Sequence, residues 1–103
     1  MADLTQQEWQ AAIETDANAI IIDVRTDEEI ADGFIPNAIP IDIYQPQVFM
    51  SKLETLDKSK TFYVYCRSGG RSAQACAIMN QLGFANTNNL LEGFSAWTGE
   101  VSN

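Results

Sequence analysis

Apolar residues recur along this chain in short runs whose spacing alternates between that of a strand and that of a helix. Residues 18–24 form a continuous, β-branched run, which is typical of a strand that is covered on both faces of a parallel sheet. Thr61–Tyr65 predicts a second strand of this kind. Residues 38–41 and 87–91 predict two shorter strands, and Pro40 favours an edge position for the first because proline donates no ladder hydrogen bond.

Helical patterns fill the segments between these strands. Thr5 and Glu8 have the spacing of a capping box, and Trp9 and Ile13 then share one helical face. Further helical segments are predicted from Thr26 to Ile30, over residues 47–56, from near Arg71 to Leu82 before Gly83, and as a closing turn over residues 93–97. The alternation predicts an α/β fold with a mainly parallel sheet. No repeat, low-complexity tract or linker interrupts it, so we expect a single domain over residues 1–103.

Charge and residue usage exclude several function classes. The net charge of −8 argues against nucleic acid and anionic membrane surfaces as partners. The longest apolar run, residues 19–22, is far shorter than a membrane helix, and the N-terminal residues lack a secretory pattern, so we expect a cytoplasmic protein. The chain contains no histidine, and its two cysteines do not have CxxC spacing. We therefore expect neither a metal nor a cofactor.

The chemically informative segment is Cys66-Arg67-Ser68-Gly69-Gly70-Arg71, which follows the strand Thr61–Tyr65 directly. Ligands of open parallel sheets bind beyond the carboxyl ends of strands. The two glycines should let the loop curl so that its N–H groups point inward, and the positive end of the following helix faces the same place. Two of only six cationic residues, Arg67 and Arg71, lie in this loop.

These features favour a Cys66 thiolate. A free cysteine has a pKa of roughly 8.5, and helix N-termini or cations lower it. The thiolate would then act as a nucleophile without a histidine base, and we expect its sulfur to be open to solvent. The same donors would hold an oxyanion or the outer sulfur of a persulfide.

At these residues the chain resembles the rhodanese family, and the resemblance covers nearly its whole length. The matching segments are residues 22–29, 33–38, 66–72 and 90–97. Three positions depart from the family pattern. Phe34 replaces a usual histidine, Asn37 a usual glycine, and Glu92 the first glycine of the closing pair.

The resemblance implies a three-layer domain in which a parallel sheet of about five strands is flanked by helices. It also implies a sulfurtransferase that works in two steps. Cys66 would take the outer sulfur of a small anionic donor, thiosulfate or a persulfide, and pass it to cyanide, a low-molecular-weight thiol or a protein cysteine. Arg67 and Arg71 would orient the donor, and the N–H groups from Ser68 through Gly69 and Gly70 to Arg71 would stabilise the persulfide.

Two other classes remain open from the residues alone. Cysteine phosphatases, and arsenate reductases of related fold, also combine a cysteine, a backbone cradle and an arginine. Four residues separate Cys66 from Arg71, whereas phosphatase loops of this kind have five, and the shorter loop should hold phosphate poorly. A non-catalytic interaction domain is the other alternative, although such relatives usually lose the cysteine.

We expect most of the notable residues outside the loop to stabilise the fold and not to take part in the chemistry. Cys76 is expected to be a small core residue rather than a resolving cysteine, and Trp9 and Trp97 are expected in the core. Arg25 is expected to pair with Glu29 and so fix the turn between them. Ser72 is interpreted either as a hydrogen-bond donor to the outer sulfur or as an ordinary first-turn helix residue.

Overall fold

The computed structural model describes all 103 residues as one α/β domain. Its strands and helices are β1 (Ala2–Leu4), α1 (Gln6–Thr15), β2 (Ala19–Asp23), α2 (Asp27–Ala31), β3 (Ile39–Pro40), α3 (Pro46–Glu54), β4 (Thr61–Tyr65), α4 (Gly70–Gln81) and β5 (Asn86–Leu90), followed by a 3₁₀ turn at Phe94–Ala96. Every helix and strand predicted from the sequence is present, with bounds that differ by at most two residues. No helix has the length and apolar character needed to cross a membrane.

The five strands form one parallel sheet in the order β1-β5-β4-β2-β3. The short β3 lies at an edge, as Pro40 predicts. The opposite edge is β1, which the sequence pattern does not reveal. Its three residues are too few to show a period, and its pairing with β5 depends on a segment more than eighty positions away. β4 lies at the centre of the sheet and is paired on both sides, with β2 and β5, so Cys66 directly follows a strand that is held at both edges.

Helices cover both faces of the sheet and give the expected three layers. On one face, α3 and α4 contribute Phe49, Leu53, Ala75 and Met79 to a core that also includes Phe62. On the other face, α1 places Trp9 against β4 and β5. The Trp9 ring meets the rings of Tyr63, Tyr65 and Trp97 edge-on, with centroids 5.6 to 6.0 Å apart. Trp9 is fully buried and Trp97 is half-buried, so both belong to this second core.

A buried polar network joins the carboxyl ends of β2 and β4. Asp23 accepts hydrogen bonds from the Arg25 guanidinium at 2.7 to 3.2 Å and from the Tyr65 hydroxyl at 2.5 Å. Arg25 also donates to the carbonyl of Gly33 and lies 4.3 Å from the centre of the Phe94 ring. The predicted Arg25–Glu29 pair is therefore wrong. Asp23 lies on the same buried strand end as Arg25, and a buried guanidinium needs a carboxylate within the protein.

Candidate active site

The loop of residues 66–69 connects the central strand β4 to α4. Gly69 is the N-cap of α4 and has a left-handed backbone, with φ of 100°, while Gly70 is already the first helical residue. The two glycines therefore act differently from the expectation that both bend the loop. Only Gly69 supplies the left-handed turn that a side chain would strain. At Gly70 a Cβ would meet nothing within 4 Å, so this position faces open space.

The segment after β5 closes against the loop from one side. Phe94 donates its N–H to the carbonyl of Cys66 at 2.8 Å, and Ser95 donates to that of Arg67 at 2.9 Å. Gly93, with φ of 68°, lies so close that a Cβ there would collide with the backbone of Arg67. The Leu91 carbonyl sits against Gly69 in the same way. The shape of the loop therefore depends on residues 91–95 as well as on its own sequence.

Two donors reach the sulfur of Cys66 within the loop. The N–H of Gly69 lies 3.1 Å from Sγ, and the hydroxyl oxygen of Ser72, in the first turn of α4, lies 3.4 Å from it. Burial, the largest single influence on this sulfur, disfavours the thiolate and raises the pKa. The combined hydrogen bonding from Ser72, Ser68 and Gly69 outweighs it, so the pKa of the Cys66 thiol lies below its ordinary value. The direction agrees with the predicted thiolate.

The expectation that this sulfur is open to solvent is wrong. Cys66 is only 1% exposed. Gly69 and Ser72 lie against the sulfur, and the closing segment is hydrogen-bonded to the backbone of Cys66 and Arg67. The pKa of Cys66 is therefore lowered as expected, whereas its sulfur is buried.

The two arginines of the loop have different environments. Arg71 makes a two-pronged ion pair with Glu29 at 2.7 and 2.8 Å, and its guanidinium lies 5.3 Å from the ring centre of Tyr44. This pairing lowers the pKa of Glu29 to about 2 and raises that of Arg71. Arg67 is exposed and has no ion-pair partner. Arg67 is therefore the loop's free cation, and Arg71 is a neutralised one.

Ser68 is exposed at the rim of the loop, whereas Ser72 is buried below it. Ser72 is part of a chain of side chains that continues to Asn89 on β5, with 2.5 Å between the Ser72 Oγ and the Asn89 Oδ1. Sequence reasoning missed Glu29 and Asn89 as neighbours of the site. The only local signal for Glu29 is its place three residues after Thr26, where it completes a capping box. Asn89, a polar residue in a buried strand, could have been questioned on that ground alone.

The departures from the family pattern lie around the site without entering it. Asn37 adopts a positive φ of 71°, a conformation that asparagine tolerates better than most residues. Phe34 forms an antiparallel bridge with Ser102 near the C-terminus. Glu92 is exposed in the closing segment and has no ion-pair partner.

Cys76 does not belong to the candidate site. It is fully buried in the core between the sheet, α3 and α4, and burial raises its pKa to about 11. A thiol held protonated in an apolar core is a poor nucleophile. The interpretation of Cys76 as a small core residue is confirmed.

Known proteins share both the sequence and the fold. The family described as "Rhodanese-like domain" matches residues 5–100. A Bacillus subtilis protein named "Putative sulfurtransferase YtwF" is 44% identical over 86% of this chain and 82% of its own length, and an Allochromatium vinosum protein named "Sulfurtransferase" is 39% identical over 78% and 72%. The crystal structure of a rhodanese-like domain protein from Staphylococcus aureus superposes with a TM-score of 0.85 at 31% identity, over 99% of this chain and 97% of that one. This chain belongs to the rhodanese-like domain family.

Proposed function

We propose that this protein is a sulfurtransferase that carries sulfur as a persulfide on Cys66. The observation that supports this most directly is the pair of donors on a cysteine sulfur, the Gly69 N–H and the Ser72 hydroxyl, at the end of the central strand. Together they favour a thiolate in a chain that contains no histidine to act as a base. Relatives with the name sulfurtransferase support the same reaction class.

The exchange balances without an external oxidant or reductant. The Cys66 thiolate attacks the outer sulfur of thiosulfate, a Cys66 S–S bond forms, and the donor's S–S bond breaks as sulfite leaves with its electron pair. An acceptor thiolate or cyanide then attacks the outer sulfur of the persulfide. That S–S bond breaks, and the Cys66 thiolate leaves with its electron pair, ready for another donor.

The two arginines of the loop have different roles in donor binding. Arg71 is held by Glu29, so its charge is already compensated. Arg67 is exposed and unpaired, and it supplies the free positive charge that an anionic donor meets at the loop. Arg67→Gln should therefore raise KM for thiosulfate more than it changes kcat. The effect should shrink as ionic strength rises, because an exposed charge is screened by salt.

Burial of Cys66 sets a condition on this chemistry. Because the residue is 1% exposed, a donor reaches Sγ only when the rim around it opens. Gly70 is the one glycine of this segment where a Cβ would meet no neighbouring atom within 4 Å, so no side chain stands beside it. Transfer of a single sulfur atom needs a smaller opening than transfer of a phosphoryl group.

Intact-mass measurement after thiosulfate treatment tests the first half-reaction. The wild-type chain should gain the mass of one sulfur, reversed by cyanide with formation of thiocyanate. Cys66→Ser should gain none, while Cys76→Ser, the matched cysteine control, should load as the wild type does. If Cys66→Ser still gains the mass of one sulfur and Cys76→Ser does not, the sulfur is carried by Cys76 and the proposal is refuted.

A parallel assay separates the competing enzyme classes. The same preparation should produce thiocyanate from thiosulfate and cyanide, and should not hydrolyse an aryl phosphate or reduce arsenate. Aryl phosphate hydrolysis or arsenate reduction without thiocyanate would favour the phosphatase or arsenate reductase alternative. If all three activities are absent and Cys66 alkylates no faster than a free thiol, the interaction-domain alternative replaces the proposal.

A further inference from the structure

A chain of side chains runs from Cys66 through the buried Ser72 and Asn89 to the edge strand β1. The Ser72 oxygen lies 3.4 Å from the Cys66 sulfur and 2.5 Å from the Asn89 Oδ1. The Asn89 amide nitrogen lies 3.1 Å from a carboxylate oxygen of Asp3 on β1 and 3.3 Å from the carbonyl of Gly69. Ser72 is fully buried and Asn89 is 3% exposed, so water does not easily replace the contact between them, whereas Asp3 at the end of the chain is exposed.

The orientation of the Asn89 amide is determined by its neighbours. An amide nitrogen donates two hydrogen bonds, and an amide oxygen only accepts. The Asp3 carboxylate and the Gly69 carbonyl are both acceptors, so the nitrogen of Asn89 must face them. Its oxygen must then face Ser72, the one residue on that side with a hydrogen to donate. A flipped amide would set the Asn89 oxygen against two other oxygens.

Ser72 has one hydroxyl hydrogen and more acceptors than it can satisfy. The Asn89 oxygen, the Gly69 carbonyl and the Cys66 sulfur all lie within 3.5 Å of its oxygen. When Cys66 is a thiol, its own hydrogen can point to Ser72 and the hydroxyl hydrogen can point to Asn89, so all are satisfied. When Cys66 is a thiolate, the sulfur needs the same hydrogen that Asn89 accepts.

We propose that Asn89 is a positioning residue that competes with Cys66 for the hydroxyl hydrogen of Ser72, so that this hydrogen turns to the sulfur in the free thiolate and back to Asn89 in the persulfide. The second half of this statement rests on the proposed function. In the persulfide, negative charge lies on the outer sulfur, and the inner sulfur bonded to Cβ no longer requires a strong donor. Asn89 then regains its hydrogen bond. The competition therefore favours the loaded enzyme over the free thiolate.

Other charged groups near Cys66 remain the same in both states. Arg67 and Arg71 contribute positive charge from the loop and from α4, and Glu29 on α2 balances Arg71. Asp3 on β1 acts through Asn89, and the Asp23–Arg25 pair at the end of β2 is internally neutral.

The first experiment measures the pH dependence of Cys66 alkylation by iodoacetamide, which requires no sulfur transfer. Measurements in a Cys76→Ser background confine the signal to one thiol. Asn89→Leu removes the nearer of the two competing acceptors at similar volume, so the alkylation midpoint should fall by roughly half to one pH unit, a threefold to tenfold change in thiolate fraction. Asn88→Leu, the same change at the next position of β5, should leave the midpoint unchanged. A midpoint in Asn89→Leu equal to that of Asn88→Leu would overturn the proposal.

A second variant keeps the test decisive if Asn89→Leu folds poorly. Ser72→Ala removes the hydrogen itself, so the midpoint should rise, and adding Asn89→Leu to it should cause no further shift. A midpoint that stays the same or falls in Ser72→Ala would mean that the hydrogen never turns to the sulfur, which refutes the proposal.

The loaded state supplies the third measurement. The measured quantity is the ratio of sulfur-loaded to unloaded chain at a fixed ratio of thiosulfate to sulfite. This ratio should be about threefold to tenfold lower in Asn89→Leu than in Asn88→Leu. Equal loading of the two variants would refute the persulfide half of the proposal. If the wild type itself does not load while the alkylation shifts appear, the sulfurtransferase proposal fails and the competition for the Ser72 hydrogen stands.

Discussion

The ion pair between Glu29 and Arg71 joins two elements that are separate in the sequence, and Glu29→Gln isolates its contribution. Glutamine occupies the same volume, its side-chain oxygen can still accept the hydrogen bond from the Thr26 N–H, and its backbone N–H still donates to the Thr26 hydroxyl, so the capping box of α2 is kept. What the substitution removes is the negative charge opposite Arg71. The unfolding free energy of this variant therefore reports on the pair rather than on the helix cap.

The magnitude follows from the pKa of Glu29, which the Arg71 guanidinium, with a smaller contribution from the hydrogen bonds of Thr26, lowers from an ordinary 4.5 to about 2. At about 1.4 kcal/mol per pKa unit, this shift corresponds to roughly 3.5 kcal/mol, which is an upper bound because the variant keeps the Thr26 hydrogen bonds. The Glu29 side chain is about a quarter exposed, so solvent screening reduces the expected value to about 1–2 kcal/mol. Because the pKa is lowered in the folded state, the stabilisation is complete above the unfolded value near 4.5 and is lost as pH falls toward 2.

Urea unfolding followed by circular dichroism measures this directly. At pH 7, Glu29→Gln should be about 1–2 kcal/mol less stable than the wild type, and the difference should disappear as the pH is lowered from 5 to 2. Glu28→Gln, at the exposed neighbouring position, removes the same charge without an ion pair and serves as the control. Equal stability of the two variants at pH 7, or a difference that persists unchanged at pH 2, would refute the reasoning.

Three further substitutions test how the site is supported. Gly93→Ala should destabilise the fold by more than about 2 kcal/mol in urea unfolding, because its Cβ would collide with the Arg67 backbone at a positive φ. Gly70→Ala, the control, has open space around it and should lose no stability. Cys76→Ser should keep the wild-type rate of thiocyanate formation while losing about 1 kcal/mol of stability, since a hydroxyl replaces a thiol in a dry core; a large fall in rate would contradict its structural role. Asp23→Asn should lower stability by about 3 kcal/mol, because it leaves the buried Arg25 guanidinium without its counter-charge. An unchanged urea midpoint would contradict this and would mean that the Gly33 carbonyl and the Phe94 ring are enough to stabilise the buried guanidinium.

Features that depend on neighbouring residues could be predicted from the sequence. The Thr5–Glu8 capping box, the strand Thr61–Tyr65 and the helix after Gly69 each form from side chains within a few positions of one another. The lowered pKa of Cys66 belongs to this group, because the Gly69 N–H and the Ser72 hydroxyl come from the same local turn. Gly69 supplies the left-handed turn of this loop from its own position, although residues 91–95 complete the loop's shape.

Pairings between distant segments were decided only by the tertiary structure. Arg25 lies four residues before Glu29, the spacing of a helical ion pair, yet Arg25 binds Asp23 and Glu29 binds Arg71, forty-two positions away. Burial of the Cys66 sulfur, the pairing of β1 with β5, and the approach of Asn89 to Ser72 have the same origin. Local sequence determines which groups a segment offers, but which partner each group meets depends on how the segments pack, and a buried charge or donor binds the partner that packing brings within reach.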